Sequence, residues 1–291
     1  MLDLRLDRCL DLARTIVWDA VGVLLDFYQG RGNLEVQNAA EGPVTAADLT
    51  VNHQVVSRLQ SAFPDPAFGY LSEENDKYAL RPDPLSQPWI WVLDPIDGTR
   101  DFIERTGQFT LHLALLHQQR PVLALLAVPI EGILYTAIRG QGTFVEYGTP
   151  RQGTLSREPV RVSSRYQMTD LRLVIGRNRN YPRFAELLEA FPVKQHIWGG
   201  GLGFKMVQIL QQSGEVYLSL SGTSAPKDWD LAAPDLALTE AGGKLSREDG
   251  LNLRYNQGDP SQWGCLIGSN GTCHATLCQS VTSILNQWSG F

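Results

Sequence analysis

The run Trp89-Ile90-Trp91-Val92-Leu93 ends directly on Asp94-Pro95-Ile96-Asp97-Gly98-Thr99, and no other junction constrains the chain as much. An apolar run that stops on acidic residues predicts a buried strand presenting side chains at its carboxyl end. Pro95 turns the backbone and Asp97 follows three residues after Asp94, so both carboxylates can face one small volume. Crowded negative charge is costly unless a cation lies between the groups, and magnesium, which prefers hard oxygen ligands, is the natural occupant. Gly98 and Thr99 then open a predicted short helix whose first amides lack helical partners, a seat for phosphate beside a metal. Asp-Pro and Asp-Gly are also common turn formers, so the stretch alone is readable as a tight turn.

Three further segments carry candidate groups. Ser72-Glu73-Glu74 follows the apolar run Phe68–Leu71, so one of the two glutamates reaches the same pocket, or both are solvated surface. Trp229-Asp230 places an Asp at a predicted helix start, as a further carboxylate or an ordinary N-cap, and Pro234 fits an early turn of that helix. Thr45 stands three residues ahead of Asp48, the spacing of a capping box, and a cap does not preclude a role in the site.

The 291 residues suffice for one large domain or two that share an interface, and the formal net charge of -6 argues against a nucleic-acid polymer or an anionic membrane as partner. The N-terminus mixes both charge signs where an export signal would not, and apolar runs such as Val122–Ile130 are too short to span a bilayer, so a cytoplasmic protein is expected. Helical spacing predicts an opening helix within the first thirty residues and a second from near Thr45 to about Phe63. Strand-like stretches from Phe109 to Val145 read as an antiparallel meander, and the polar, turn-rich 148–160 as a boundary. Beyond it a strand at Leu171–Ile175, helices over Pro182–Ala190 and Gly203–Gln212, a strand at Val216–Leu220 and a helix from Asp230 to Ala241 alternate. The expected organisation is an N-terminal α+β half, 1–155, with most candidate ligands, and a C-terminal α/β half, 156–291, with Asp230.

Cys9, Cys265, Cys273 and Cys278 lack a C-x-x-C spacing and read as reduced structural thiols. His53, His112, His117, His196 and His274 show no paired spacing and read as structural or surface groups. The glycine-rich 199–203 lacks the pattern of a triphosphate-binding loop and suits close approach of a ligand to backbone.

Taken in order, Pro43–Asp48, Ser72-Glu73-Glu74, Asp94–Thr99 and Trp229-Asp230 followed by Glu240-Ala241-Gly242-Gly243 closely resemble the inositol monophosphatase superfamily of lithium-sensitive, magnesium-dependent phosphatases. The resemblance runs from the first helix to Ser269-Asn270-Gly271 and implies a layered αβαβα sandwich, α+β and α/β in character, with its site between the halves. It implies two or three Mg2+ ions, one held by Glu73, Asp94 and the Ile96 carbonyl, a second by Asp94, Asp97 and Asp230, and a third, weaker one leaning on Glu73. It implies too that Thr99 and Asp48, with Thr45 beside them, orient and deprotonate the attacking water while the Gly98 and Thr99 amides grip phosphate.

Arg100 to Thr110 is similar to the G-T-K-E-F-I-x-R-x-G-E-F-T run of bacterial 3'(2'),5'-bisphosphate nucleotidases, where inositol monophosphatases tend to have G-T-T-N-F. Lys227–Pro234 resembles the same branch, and Thr223 stands where inositol-specific enzymes carry a glutamate. This implies hydrolysis of 3'-phosphoadenosine 5'-phosphate to AMP, with Arg177, Arg179, Gly200, Gly201 and Lys205 on the substrate side. The rivals are an inositol monophosphatase, a sugar bisphosphatase acting on fructose 1,6-bisphosphate, and a non-catalytic metal- or lithium-binding regulator. Regulators of that kind usually lose a ligand, whereas every ligand position here is filled. The expected partners are a small phosphomonoester and, for assembly, a possible homodimer.

Overall fold

The computed structural model describes residues 5–39, 42–76, 85–177 and 181–288. The chain opens with helix α1 (Leu6–Tyr28), a hairpin of β1 (Val36–Ala39) and β2 (Gly42–Thr45), and helix α2 (Ala46–Ala62). Strand β3 (Phe68–Ser72) leads through the short α3 (Glu73–Asp76) to β4 (Trp89–Asp97) and the short α4 (Thr99–Ile103). The meander follows as β5 (Thr110–His117), β6 (Arg120–Val128), β7 (Ile133–Ile138), β8 (Gly142–Thr149) and β9 (Gly153–Val160). These strands make a seven-stranded sheet in sequential order from β3 to β9, parallel between β3 and β4 and antiparallel elsewhere.

Both faces of that sheet are covered, and the strand period of two decides which residue goes where. In β5, Leu111, Leu113 and Leu115 join the core beneath α1 and α2, whereas Ala114 and Leu116 face the opposite layer. Strand β6 divides likewise, Leu123 and Leu125 one way and Ala124 and Leu126 the other. Helix α1 meets this face with Leu10, Ala13, Val17, Val21 and Leu24, a stripe at helical spacing. Each fully buried leucine contributes about 1.5–3 kcal/mol by leaving water.

The remaining elements are β10 (Arg172–Ile175), α5 (Pro182–Ala190), β11 (Gln195–Trp198), α6 (Leu202–Leu210), β12 (Val216–Leu220), α7 (Asp228–Glu240), β13 (Lys244–Arg247), β14 (Cys265–Ser269) and α8 (His274–Trp288). Five strands form a second sheet in the order β11-β10-β12-β14-β13. Helices α6 and α7 fill the space between the sheets and contribute Met206, Val207, Leu231 and Leu236 to a core shared with Leu126 and Tyr217. On the outer face of the second sheet, Phe184 and Leu187 of α5 pack with Leu277 and Val281 of α8 over Leu173 and Ile267. The layers therefore alternate helix, sheet, helix, sheet, helix, which is the expected αβαβα sandwich.

Two local readings are corrected. The polar 148–160 is largely strand: β9 pairs with β8 along the sheet edge, where exposed Ser156, Arg157 and Glu158 replace the apolar alternation of a buried strand. Helix α7 begins at Asp228, not Asp230, so Asp230 is its third residue and Pro234 lies inside the helix rather than in an early turn. The Asp230 carboxylate instead reaches back to the Lys227 amide at 2.6 Å, satisfying a donor ahead of the helix.

Candidate active site

The carboxyl ends of β3 and β4 lie side by side because these strands run parallel, and they meet the amino ends of α2, α6 and α7. In β4 the pairing with β5 slips between Asp94, opposite His112, and Asp97, opposite Thr110. This bulge turns both carboxylates toward α7, where Asp230 completes a group whose oxygens lie within 4.8 Å of one another. Glu73, the first residue of α3, lies close enough for its charge to act on both Asp94 and Asp230. Burial, then the charges of Glu73, Asp97 and Asp230, push Asp94 well above the usual carboxylate range. Burial, then Asp97 and Glu73, push Asp230 up to about 8. One Asp94 oxygen is buried with no hydrogen-bond partner. A hard divalent cation fits this donor set: it offsets the repulsion and takes the orphaned oxygen.

Asp97 has a second attachment. Its Oδ1 accepts from the Leu202 amide at 3.0 Å and its Oδ2 from the Gly203 amide at 2.6 Å, so it caps α6. Gly201 and Gly203 permit this approach, because a Cβ on either would run into Asp97, or into His112 and Thr110. The His112 ring is buried and held below its ordinary pKa by desolvation, with Asp97 opposing that shift. Its Nδ1 lies 3.2 Å from the Trp229 carbonyl and its Nε2 lies 2.8 Å from the Thr110 hydroxyl. The same hydroxyl lies 3.1 Å from Asp97 Oδ2, so one imidazole links the backbone before Asp230 to the Asp97 carboxylate. The sequence reading placed His112 among structural groups, and this linkage gave it no signal.

At the start of α2, Thr45 and Asp48 form the capping box: Asp48 Oδ2 accepts from the Thr45 amide at 2.7 Å and from its hydroxyl at 2.6 Å. The other oxygen, Oδ1, lies 3.4 Å from Thr99 Oγ1, which is also 3.1 Å from the Ile96 carbonyl. Burial pushes Asp48 up to about 7, against the Thr45 hydrogen bonds and with help from Glu74 and Glu73. Gly98 precedes α4 with φ +90°, a conformation that favours glycine, and turns the chain from the carboxylates into the helix.

A cavity of about 300 Å³ opens from this point. Glu73, Asp97, Gly98 and Thr99 line one end, and Arg177 and Lys205 also line it. Val174, Phe184, Leu218 and Leu220 supply an apolar wall. The Lys205 side chain runs over Gly176 and Gly199, where no Cβ would fit, and its ammonium has no hydrogen bond or ion pair among the described residues. Burial lowers its pKa, opposed by the charges of Asp97, Asp101 and Asp230. Gly200 and Gly201 line the same cavity, while Arg179 lies outside the described residues. Sequence reasoning missed Phe184 and Leu220, because an apolar residue on a helix or strand reads as core whether or not a cavity borders it.

A model of the inositol monophosphatase family matches residues 5–286. The 3'(2'),5'-bisphosphate nucleotidase CysQ of Salmonella typhimurium is 28% identical over 256 residues, covering 86% of this chain and 93% of the relative. CysQ of Escherichia coli K12 is 28% identical over 257 residues, with the same coverage of 86% and 93%. The solved IMPase of Thermotoga maritima superimposes with a TM-score of 0.75 at 22% identity, covering 97% of this chain and 99% of that one. No helix among the described residues is long and apolar enough to cross a membrane. With the family match spanning nearly the whole chain and three carboxylates gathered within 4.8 Å of one another, the protein is a phosphatase of the inositol monophosphatase family.

Proposed function

We propose that the protein is a magnesium-dependent 3'(2'),5'-bisphosphate nucleotidase that hydrolyses 3'-phosphoadenosine 5'-phosphate to AMP and phosphate. The observation that carries this reading is a cavity that combines carboxylates and helix amides, the Lys205 ammonium, and the apolar wall of Val174, Phe184 and Leu220. A bisphosphate needs two anion sites and a purine needs an apolar surface, whereas a polyol needs acceptors for its hydroxyls. Thr223 stands where an inositol-specific glutamate is expected, and the curated relatives carry the nucleotidase name.

In this reading Glu73, Asp94, Asp97, Asp230 and the Ile96 carbonyl would hold two or three Mg2+ ions. Bound there, the ions supply Lewis-acid charge that acidifies a water and neutralises the reacting phosphate. Thr99 Oγ1 orients the water and Asp48 takes its proton, the Thr45 amide and hydroxyl fixing the carboxylate from its other oxygen. The Gly98 and Thr99 amides bind phosphate oxygens, Gly200 and Gly201 let the substrate approach backbone, and Lys205 takes the second phosphate.

The test is phosphate release with Mg2+ from 3'-phosphoadenosine 5'-phosphate, inositol 1-phosphate and fructose 1,6-bisphosphate in parallel. The bisphosphate nucleotide is expected to give the highest kcat/KM, and an advantage of about tenfold or more for either rival overturns the nucleotidase reading. No release from any of the three would point to the regulator.

A further inference from the structure

Arg177 follows β10, in the second sheet, yet its hydrogen bonds are to the first half of the chain. Its Nη2 donates to Asp101 Oδ1 at 3.2 Å and to Glu104 Oε2 at 2.5 Å. Asp101 belongs to α4 and Glu104 is its C-cap, so both acceptors belong to the short helical turn that presents Gly98 and Thr99 to the cavity. A helix of five residues has too few internal hydrogen bonds to hold itself in place. Phe102 anchors its inner side against Tyr28 and Phe109. On the cavity side the Asp101 carboxylate is buried, accepts from the Thr106 hydroxyl at 3.0 Å, and packs so closely on Gly200 that a Cβ there would lie 3.0 Å from its carboxyl carbon.

We infer that Arg177 is a positioning residue: it clamps α4 across the junction of the two sheets and thereby fixes where Thr99 and the phosphate-facing amides stand. This departs from the sequence expectation that Arg177 contacts the second phosphate. Its guanidinium is already engaged by two carboxylates, and a phosphate approaching it meets both of those charges. The Lys205 ammonium makes no direct ion pair among the described residues, and Asp97, Asp101 and Asp230 act on it only through their charge. The inference rests on the phosphatase assignment and not on the identity of the nucleotide.

The experiment compares the full chain with Arg177→Ala, Arg177→Lys, Asp101→Asn and the Arg177→Ala/Asp101→Asn double variant. Each is assayed with Mg2+ on 3'-phosphoadenosine 5'-phosphate and on p-nitrophenyl phosphate, which has no second phosphate. A clamp lowers kcat by about tenfold to a hundredfold on both substrates, leaves KM within about twofold, and makes the double variant no worse than the poorer single one. Arg177→Lys, which keeps a charge for Asp101, recovers part of the loss. A rise in KM for the bisphosphate alone, with the monoester unaffected, makes Arg177 a substrate contact and overturns the inference, as does unchanged kcat on both. Asp101→Asn preserves side-chain volume and carries the test should Arg177→Ala not fold. Wild-type turnover of the monoester without the bisphosphate removes the nucleotidase reading while the clamp is still read from kcat.

Discussion

The Gly203 amide donates to Asp97 Oδ2 at 2.6 Å, so a carboxylate from the end of β4 caps the helix that carries Lys205. The proposed metal site and the proposed second-phosphate site are thus tied through one side chain.

Replacing Asp97 should therefore have two separable effects. Asp97→Asn keeps one acceptor oxygen for α6 but loses the charge, and Asp97→Ala loses both. Both variants should lose about a hundredfold or more in kcat/KM. In EDTA, where both variants equally relieve the repulsion on Asp94 and Asp230, Asp97→Ala should be less stable than Asp97→Asn by about 1 kcal/mol, the scale of a missing helix cap, as read by urea unfolding.

His112 orients Asp97 through Thr110 and holds the Trp229 carbonyl next to Asp230. Replacing partners at this remove from a metal typically costs about tenfold to a hundredfold in metal affinity or activity. His112→Ala should raise the Mg2+ concentration for half-maximal thermal stabilisation by about tenfold to a hundredfold. A titration of Tm against Mg2+ reads this without any turnover, and an unchanged midpoint removes the assigned role.

A carboxylate serves as a base only when ionised, and burial pushes Asp48, the proposed base, up to about 7. Cations bound nearby pull that value down. In Mg2+, kcat/KM should fall on the acid side with a midpoint at or below about 7, and Asp48→Asn should remove most of the activity together with this limb. A flat profile from pH 5 to 8 in the wild type would contradict the role.

His274 is buried between the hydroxyls of Ser246 and Ser269, and burial, assisted by Lys244, lowers its pKa to about 4. The unfolded chain binds its proton near 6.5, so as pH falls from there toward 4 the unfolded state takes up the proton first. Stability from this group is complete above pH 6.5 and declines on acidification, by up to about 3 kcal/mol. Urea midpoints at pH 7 and 4.5 should differ less in His274→Gln than in the wild type.

The sequence was legible wherever local chemistry and burial coincide. Apolar runs that stop on carboxylates located β3 and β4, and the Thr45–Asp48 spacing located both the start of α2 and its capping box. Where a strand lies at a sheet edge the signal fades, because Ser156, Arg157 and Glu158 of β9 face water and resemble a loop. Pro234 misplaced the start of α7, since tertiary packing of Leu231 and Leu236 between two sheets sustains a helix through an interior proline. Arg177 was readable as a cation but not as one already engaged, because its acceptors lie 73 and 76 positions away in the chain.

Gly201 and Gly203 carry no functional group, yet they border the Asp97 cap and the Thr110–His112 pair so tightly that any β-carbon collides. A saturation library of this protein would find these two positions as brittle as the acidic residues themselves. Conservative replacement by alanine would be no gentler there than a bulky one. At such points the working part of the molecule is room left empty for a neighbour, and an inventory of reactive side chains overlooks it.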